Sequence, residues 1–188
     1  MSFSDAQHET LIIGAGLAGL YAALTLAPLS AFAAGSETSS PEPKVTCEDG
    51  QVWNEDTETC EDPSESSQTD SFLLDSAQRY AYAGHYDDAQ IVLSAVKDQS
   101  DSRTLTLWGF THRKMGNVDL GLAFYDQALT KDPDNILARS YLGEAHVNLG
   151  DYDAALTQLA EIRARGGAGS RAETLLIKAM QGGTLYQG

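Results

Sequence analysis

Met115-Gly116-Asn117-Val118-Asp119-Leu120-Gly121 decides the fold of this 188-residue chain, because two other stretches repeat its pattern. Ala83-Gly84-His85-Tyr86-Asp87-Asp88-Ala89 precedes it, and Leu149-Gly150-Asp151-Tyr152-Asp153-Ala154-Ala155 follows. The glycines at 84, 116 and 150 lie 32 and 34 residues apart. Each stretch passes from Gly through a short polar turn into a new apolar run. A helix closes on Gly, which tolerates the left-handed backbone needed there. The next helix starts near Asp or Asn, whose side chains accept from its free N–H groups and suit its dipole. A period of this size marks a stack of helical hairpins, each too small to bury its apolar face alone.

Working outward, helical periodicity runs through residues 70–182. Residues 102–135 are the most regular unit, with Trp108-Gly109 on the first helix, Tyr125 and Ala128 on the second, and Pro133 at the exit. Residues 136 to about 168 repeat Leu142-Gly143, Gly150 and Ala155, with Leu159 in the second helix. Residues 70–101 keep Tyr80, Gly84 and Ala89 but have Ser76-Ala77 in place of the Gly-containing pair and no closing Pro. That unit is two residues short, so its second helix or the following turn is trimmed. Gly109, Gly143, Ala89 and Ala155 mark the closest approach of the two helices in a hairpin. Gly121 stands where alanine is usual and should cost the middle unit roughly 0.5–1 kcal/mol of helix propensity. Ser170-Arg171-Ala172-Glu173 reads as a capping box before a last apolar helix that Gly182-Gly183 ends.

These residues resemble the tetratricopeptide repeat family. The resemblance implies an all-α fold: three helix-turn-helix hairpins and a C-terminal capping helix, wound as a right-handed α-solenoid and preceded by a disordered acidic segment. It also implies a concave groove, lined by the first helices, that receives an extended peptide or a helix of a partner protein. The family's groove positions fall on Gln78 and Tyr82 in the first unit and Arg103, Thr106, Phe110, Arg113 and Lys114 in the second. In the third they fall on Ser140, Glu144, Val147 and Asn148. Arg103, Arg113 and Lys114 form a basic cluster around Phe110, which suits an acidic or carboxylate-bearing peptide. The sequence shows no nucleophile–base pair, no carboxylate dyad and no set of metal ligands, so neither enzyme nor cofactor is expected. His112 and His146 hold equivalent places, where Tyr80 stands in the first unit, and read as packing residues.

The formal net charge is −15, and it is unevenly placed. Residues 36–75 carry twelve acids against the single base Lys44, supplying −11 of that total. Nucleic acid and anionic lipid are disfavoured as partners. Residues 34–69, rich in Ser, Thr, Glu, Asp and Pro, read as a disordered acidic linker, whose stretch 36–69 is expected to occupy the basic groove in the absence of a partner. Within it Cys47 and Cys60 bracket a loop with Trp53 and a turn at residues 54–57. Their disulfide would stabilise a small hairpin by about 3 kcal/mol and requires an oxidising compartment.

Residues 1–33 carry two signals. The run Leu11-Ile12-Ile13-Gly14-Ala15-Gly16-Leu17-Ala18-Gly19 resembles the FAD-binding start of L-aspartate oxidase-type flavoproteins. In that setting Gly14, Gly16 and Gly19 would admit a pyrophosphate at a helix N-terminus. Residues 20–29 followed by Ala31-Phe32-Ala33 instead resemble the rear half of a secretory signal. The leading expectation is therefore a non-catalytic scaffold of the bacterial periplasm or exterior, with no stable membrane span once processed. The alternative is an FAD-dependent oxidoreductase fragment. Residues 183–188 are a tail.

Overall fold

A computed structural model describes residues 47–182. The first stretch, with Gly14, Gly16, Gly19 and the signal-like segment, lies outside the described residues, as does the tail. The elements in chain order are β1 (Val52–Asn54), β2 (Thr59–Glu61), α1 (Asp70–Ala83), α2 (Tyr86–Ala95), α3 (Ser102–Lys114), α4 (Val118–Lys131), α5 (Ile136–Asn148), α6 (Tyr152–Ala164) and α7 (Arg171–Gly182). The helices pair as α1/α2, α3/α4 and α5/α6, and α7 packs on α5 and α6. The helical part is the capped three-hairpin stack that the resemblance implies, with a small β-hairpin ahead of it.

Each hairpin turns on its glycine. Gly84, Gly116 and Gly150 have φ of 89°, 90° and 78°, the left-handed region. The next residue in each case donates its N–H back into the finished helix: His85 to Tyr80 O, Asn117 to His112 O and Asp151 to His146 O, at 2.9–3.0 Å. That bond satisfies a carbonyl the helix would otherwise leave orphaned. Helix starts are less uniform. Thr69, Asp101, Asn135 and Asp151 cap α1, α3, α5 and α6 with their side chains. Asn117 makes no such bond, so the Asn-cap expected for α4 is corrected.

The short first unit trims its second helix: α2 has 10 residues, whereas α4 has 14 and α6 has 13. Gln99 closes the truncated end, its Nε2 donating to Leu93 O at 2.8 Å and Val96 O at 2.7 Å. In the middle unit the helices approach most closely at Gly109 and Gly121. A Cβ on Gly109 would stand 2.6 Å from the Tyr125 ring, and one on Gly121 would stand 2.9 Å from Gly109 O. Tyr125, fully buried, fills the space these two glycines leave. At the far end Leu176 of α7 lies against Gly143, where a Cβ would come within 2.7 Å of it. Half of the expected capping box forms, Ser170 Oγ accepting from Glu173 N at 3.2 Å, while the Glu173 carboxylate accepts from Gly169 N at 2.6 Å and not from Ser170 N, which donates to Gly167 O.

Disorder across residues 34–69 is corrected for the part that is described. The Cys47–Cys60 disulfide closes an antiparallel hairpin in which Val52 pairs with Glu61, Trp53 with Cys60 and Asn54 with Thr59. One buried aliphatic residue and one tyrosine bind it to the helices. Val52 is 1% exposed and joins the core cluster of Leu73, Leu74, Ala77 and Tyr80. The Tyr80 hydroxyl donates to the carbonyls of Cys47 and Gln51, each at 2.8 Å. Two backbone acceptors and a cross-link supply the order that composition denies to this segment.

Candidate functional site

The first helices α1, α3 and α5 adjoin on one face, and aromatic side chains join them there. Phe110 of α3 is at the centre, 4.8 Å from the Tyr141 ring of α5 and 5.8 Å from the Tyr82 ring of α1. The Tyr82 and Tyr141 hydroxyls lie 2.5 Å apart, so the first unit touches the third directly. The contact passes the intervening helix, so α1, α3 and α5 share this face. Arg171, at the start of α7, places its guanidinium 5.9 Å from the Tyr82 ring centre, within reach of a cation–π attraction. Gln78 Nε2 donates to the Tyr82 hydroxyl at 2.7 Å. Tyr82 is nevertheless 46% exposed. It lies across the groove with one side open to solvent.

The expected positive charges are present but matched. Arg103 pairs with Asp75 and donates to Gln78 Oε1 at 3.3 Å. Arg113 is 8% exposed and donates from Nη2 to Glu144 Oε2 at 3.3 Å and from Nε to the Tyr125 hydroxyl at 3.3 Å. Burial alone would lower the Arg113 value, and the neighbouring Tyr125 and Glu144 turn it into a net rise. Glu144 is nevertheless raised above the ordinary carboxylate value, because burial costs it more than Arg113 and Lys114 return. Desolvating the Glu144 carboxylate thus outweighs the attraction of its partner. Lys114, with its ammonium 5.9 Å from the Phe110 ring centre, is lowered by burial and then by Arg113. A basic patch open to an acidic peptide is thereby corrected: Asp75 and Glu144 already answer Arg103 and Arg113.

Among the eleven expected groove residues, Gln78, Tyr82, Phe110, Arg113, Lys114 and Glu144 come together around the aromatic cluster. Arg103 borders it through Gln78, and Asn148 is exposed at the end of α5. Three others are buried in packing contacts outside the aromatic cluster. Thr106 is 1% exposed; its hydroxyl donates to Ser102 O at 2.7 Å and accepts from Asn135, the cap of α5, at 3.1 Å. Ser140 is fully buried, donating to Ala172 O at 2.8 Å and so holding α7. Val147 belongs to the core formed with Ala155, Leu159, Ile162 and Leu176. Tyr141 and Arg171 were not among the expected residues. Tyr141 sits one position beyond Ser140, and its aromatic identity was the available signal.

Outside the groove, His112 clusters with Trp108 and Phe124, its ring centre 5.7 and 5.5 Å from theirs and those two 6.2 Å apart. Burial lowers its value, which keeps it a neutral packing group. A cleft of about 510 Å³ lies between the β-hairpin and α1, lined by Glu48, Asp49, Trp53, Arg79, Tyr80 and Asp88 among others. Residues 47–61 thus sit on the Tyr80 side of α1 and not in the Tyr82 groove, so this part of the acidic segment does not fill it. Among the described residues no three His, Cys, Asp or Glu side chains cluster as metal ligands, and no helix is long and apolar enough to cross a membrane.

With this geometry in place, residues 112–178 match the family model described as tetratricopeptide repeat. The match runs from the end of α3 into α7. None of the curated proteins is significantly similar in sequence. Among solved structures, the crystal structure of PcrH in complex with the chaperone binding region of PopB is similar at 24% identity, over 69% of this chain and 96% of that one, with a TM-score of 0.48.

Proposed function

We propose that this chain, whose helical part is a tetratricopeptide repeat array, is a non-catalytic scaffold that takes a peptide or helix of a partner protein on its concave face. The observation that carries the reading is the aromatic cluster of Tyr82, Phe110 and Tyr141 on the face shared by α1, α3 and α5. Tyr82, about half exposed, lies against the buried rings of Phe110 and Tyr141, and an exposed aromatic side chain backed by a buried cluster is a usual anchor of protein recognition. The matched charges around them favour a partner that inserts an apolar or aromatic side chain beside Phe110 over one that brings only carboxylates.

The partner's first act is to displace Tyr82 from Tyr141. Peptide-display selection against the immobilised full chain tests this, with the selected peptides mapped by NMR chemical shifts. Shifts centred on Tyr82, Phe110, Lys114 and Glu144, with affinity reduced at least about tenfold by Phe110→Asp, are expected, since a buried aromatic anchor is worth ~2 kcal/mol or more. Selected peptides that bind elsewhere would refute the assignment.

The compartment belongs to the same proposal. The Cys47–Cys60 disulfide and the Ala31-Phe32-Ala33 sequence both suit a protein exported from a bacterial cell. Intact mass of the protein recovered from the envelope fraction reads both at once. A mature start at Ala34 and a mass two hydrogens below the reduced value are expected.

A further inference from the structure

We propose that the disulfide-closed hairpin is the end cap of the repeat stack, standing where the second helix of a preceding repeat would stand, and that reducing Cys47–Cys60 unfastens the first repeat. The placement follows from the repeat itself. On α3, Thr111 and His112 face the second helix of the unit before: Gln90 of α2 puts its Nε2 3.1 Å from Thr111 Oγ1 and 3.4 Å from His112 Nδ1. The equivalent residues of α1, 32 positions earlier, are Arg79 and Tyr80. Among the described residues no helix precedes α1, and the hairpin meets this face instead. Tyr80 donates to Cys47 O and Gln51 O at 2.8 Å. Val52, 1% exposed, enters the core of the first unit. Gly50 rests on α2, where a Cβ would come 2.9 Å from Ile91 Cβ. One small element thus covers both helices of the unit, as α7 covers α5 and α6 at the other end.

Its attachment depends on the cross-link. Two strands of three residues each are too short to persist by their own ladder, and Val52 is the single aliphatic side chain the hairpin buries. Closing a loop of this size lowers the number of unfolded alternatives about a hundredfold in the chain-entropy picture. Cys60 is the partly exposed half of the bridge, Cys47 being buried. Reduction breaks the S–S bond with two electrons and two protons to give two thiols, while a dithiol donor is oxidised to its own disulfide. Freed, the hairpin withdraws Val52 and the two carbonyl acceptors from Tyr80, leaving the outer face of α1 uncovered. The first unit is the degenerate one, with Ser76-Ala77 and the shortest second helix, so it is the repeat least able to stand without a neighbour. This inference does not rest on the groove reading, since its readout is backbone protection and not binding.

Hydrogen exchange of the full chain, oxidised and then reduced with dithiothreitol, tests it, complete reduction being verified by the gain of two hydrogens in mass. Amides of residues 47–61, α1 and α2 are expected to exchange about a hundredfold faster on reduction, with α5, α6 and α7 unchanged and reoxidation restoring the original pattern. The Cys47→Ser/Cys60→Ser double variant should reproduce the reduced pattern without reductant. Tyr80→Phe, with the disulfide intact, should loosen residues 47–51 alone. Unchanged protection of α1 and α2 after full reduction would overturn the proposal. So would an equal loss in all helices, because the disulfide would then support the whole fold and not one end.

Discussion

Replacing Gly121 by alanine separates two opposite expectations. Helix propensity alone says the change stabilises, by roughly 0.5–1 kcal/mol, because glycine inside a helix is costly and alanine is the best former. The packing of α3 on α4 says otherwise. A Cβ at position 121 would stand 2.9 Å from Arg113 Cβ, 2.9 Å from Gly109 O and 3.1 Å from Arg113 N. Two of these three atoms are backbone, so no side-chain rotation relieves the contact and the helices must separate. Separation loosens Tyr125, which is fully buried against Gly109. Overpacking of this kind costs about 1–3 kcal/mol. Subtracting the propensity gain leaves Gly121→Ala less stable by up to about 2.5 kcal/mol, at roughly 2–4 °C in Tm per kcal/mol for a chain of this size. Urea unfolding followed by far-UV circular dichroism measures it. Ala123→Gly, at an exposed position of the same helix, calibrates the pure propensity effect. A Gly121→Ala protein more stable than the parent by that amount would refute the close-approach argument.

Other perturbations address other parts of the molecule. Burial pushes the Tyr125 hydroxyl up to about 12 from an ordinary 10, despite the opposing Arg113. A raised value means that the stabilising neutral form is fully favoured below pH 10 and lost as pH climbs through 12, so about 3 kcal/mol should vanish across that window; Tyr125→Phe should flatten this part of the stability–pH curve. Glu144→Ala leaves the buried Arg113 guanidinium without its carboxylate and should cost about 3–5 kcal/mol, whereas Arg113→Met with Glu144→Leu should cost far less, as denaturant midpoints would show. Leu176→Ala empties a fully buried site of α7 against Gly143 and should cost about 2–5 kcal/mol, with hydrogen exchange rising first in α7.

The hairpin turns and the helix count were legible because backbone geometry at a helix end leaves few choices. A left-handed residue at 84, 116 and 150 all but demands glycine, and those glycines carry the period. The Ser170 half of the capping box before α7 was legible for the same local reason. Charge pairing was not. Arg113 and Glu144 are 31 residues apart, and no pattern in sequence says that an arginine at the end of one helix will be answered by a carboxylate in the next unit. The groove was read from the repeat family's groove positions, which cannot tell Thr106 and Ser140, fully enclosed, from Gln78, on the rim. Tyr141 was missed because the family position falls one residue away, on Ser140. Composition also failed at residues 47–61. A segment so poor in aliphatic residues reads as unable to order itself, yet here the ordering comes from Tyr80 and a covalent bond. The obstruction at Gly121 was not legible, because propensity is local and Gly109 O belongs to another helix.

The two coverings at the ends of the stack set how such an array can lengthen. A repeat inserted ahead of α1 would have to evict the hairpin from Tyr80, and one added after α6 would have to evict Leu176 from Gly143. An internal copy of a whole unit meets neither obstacle, because α3 already presents one face to α2 and another to α5. Gene duplication in this lineage would therefore leave its mark in the middle of the chain. Both end pieces would be carried along unchanged, like the covers of a book that gains pages.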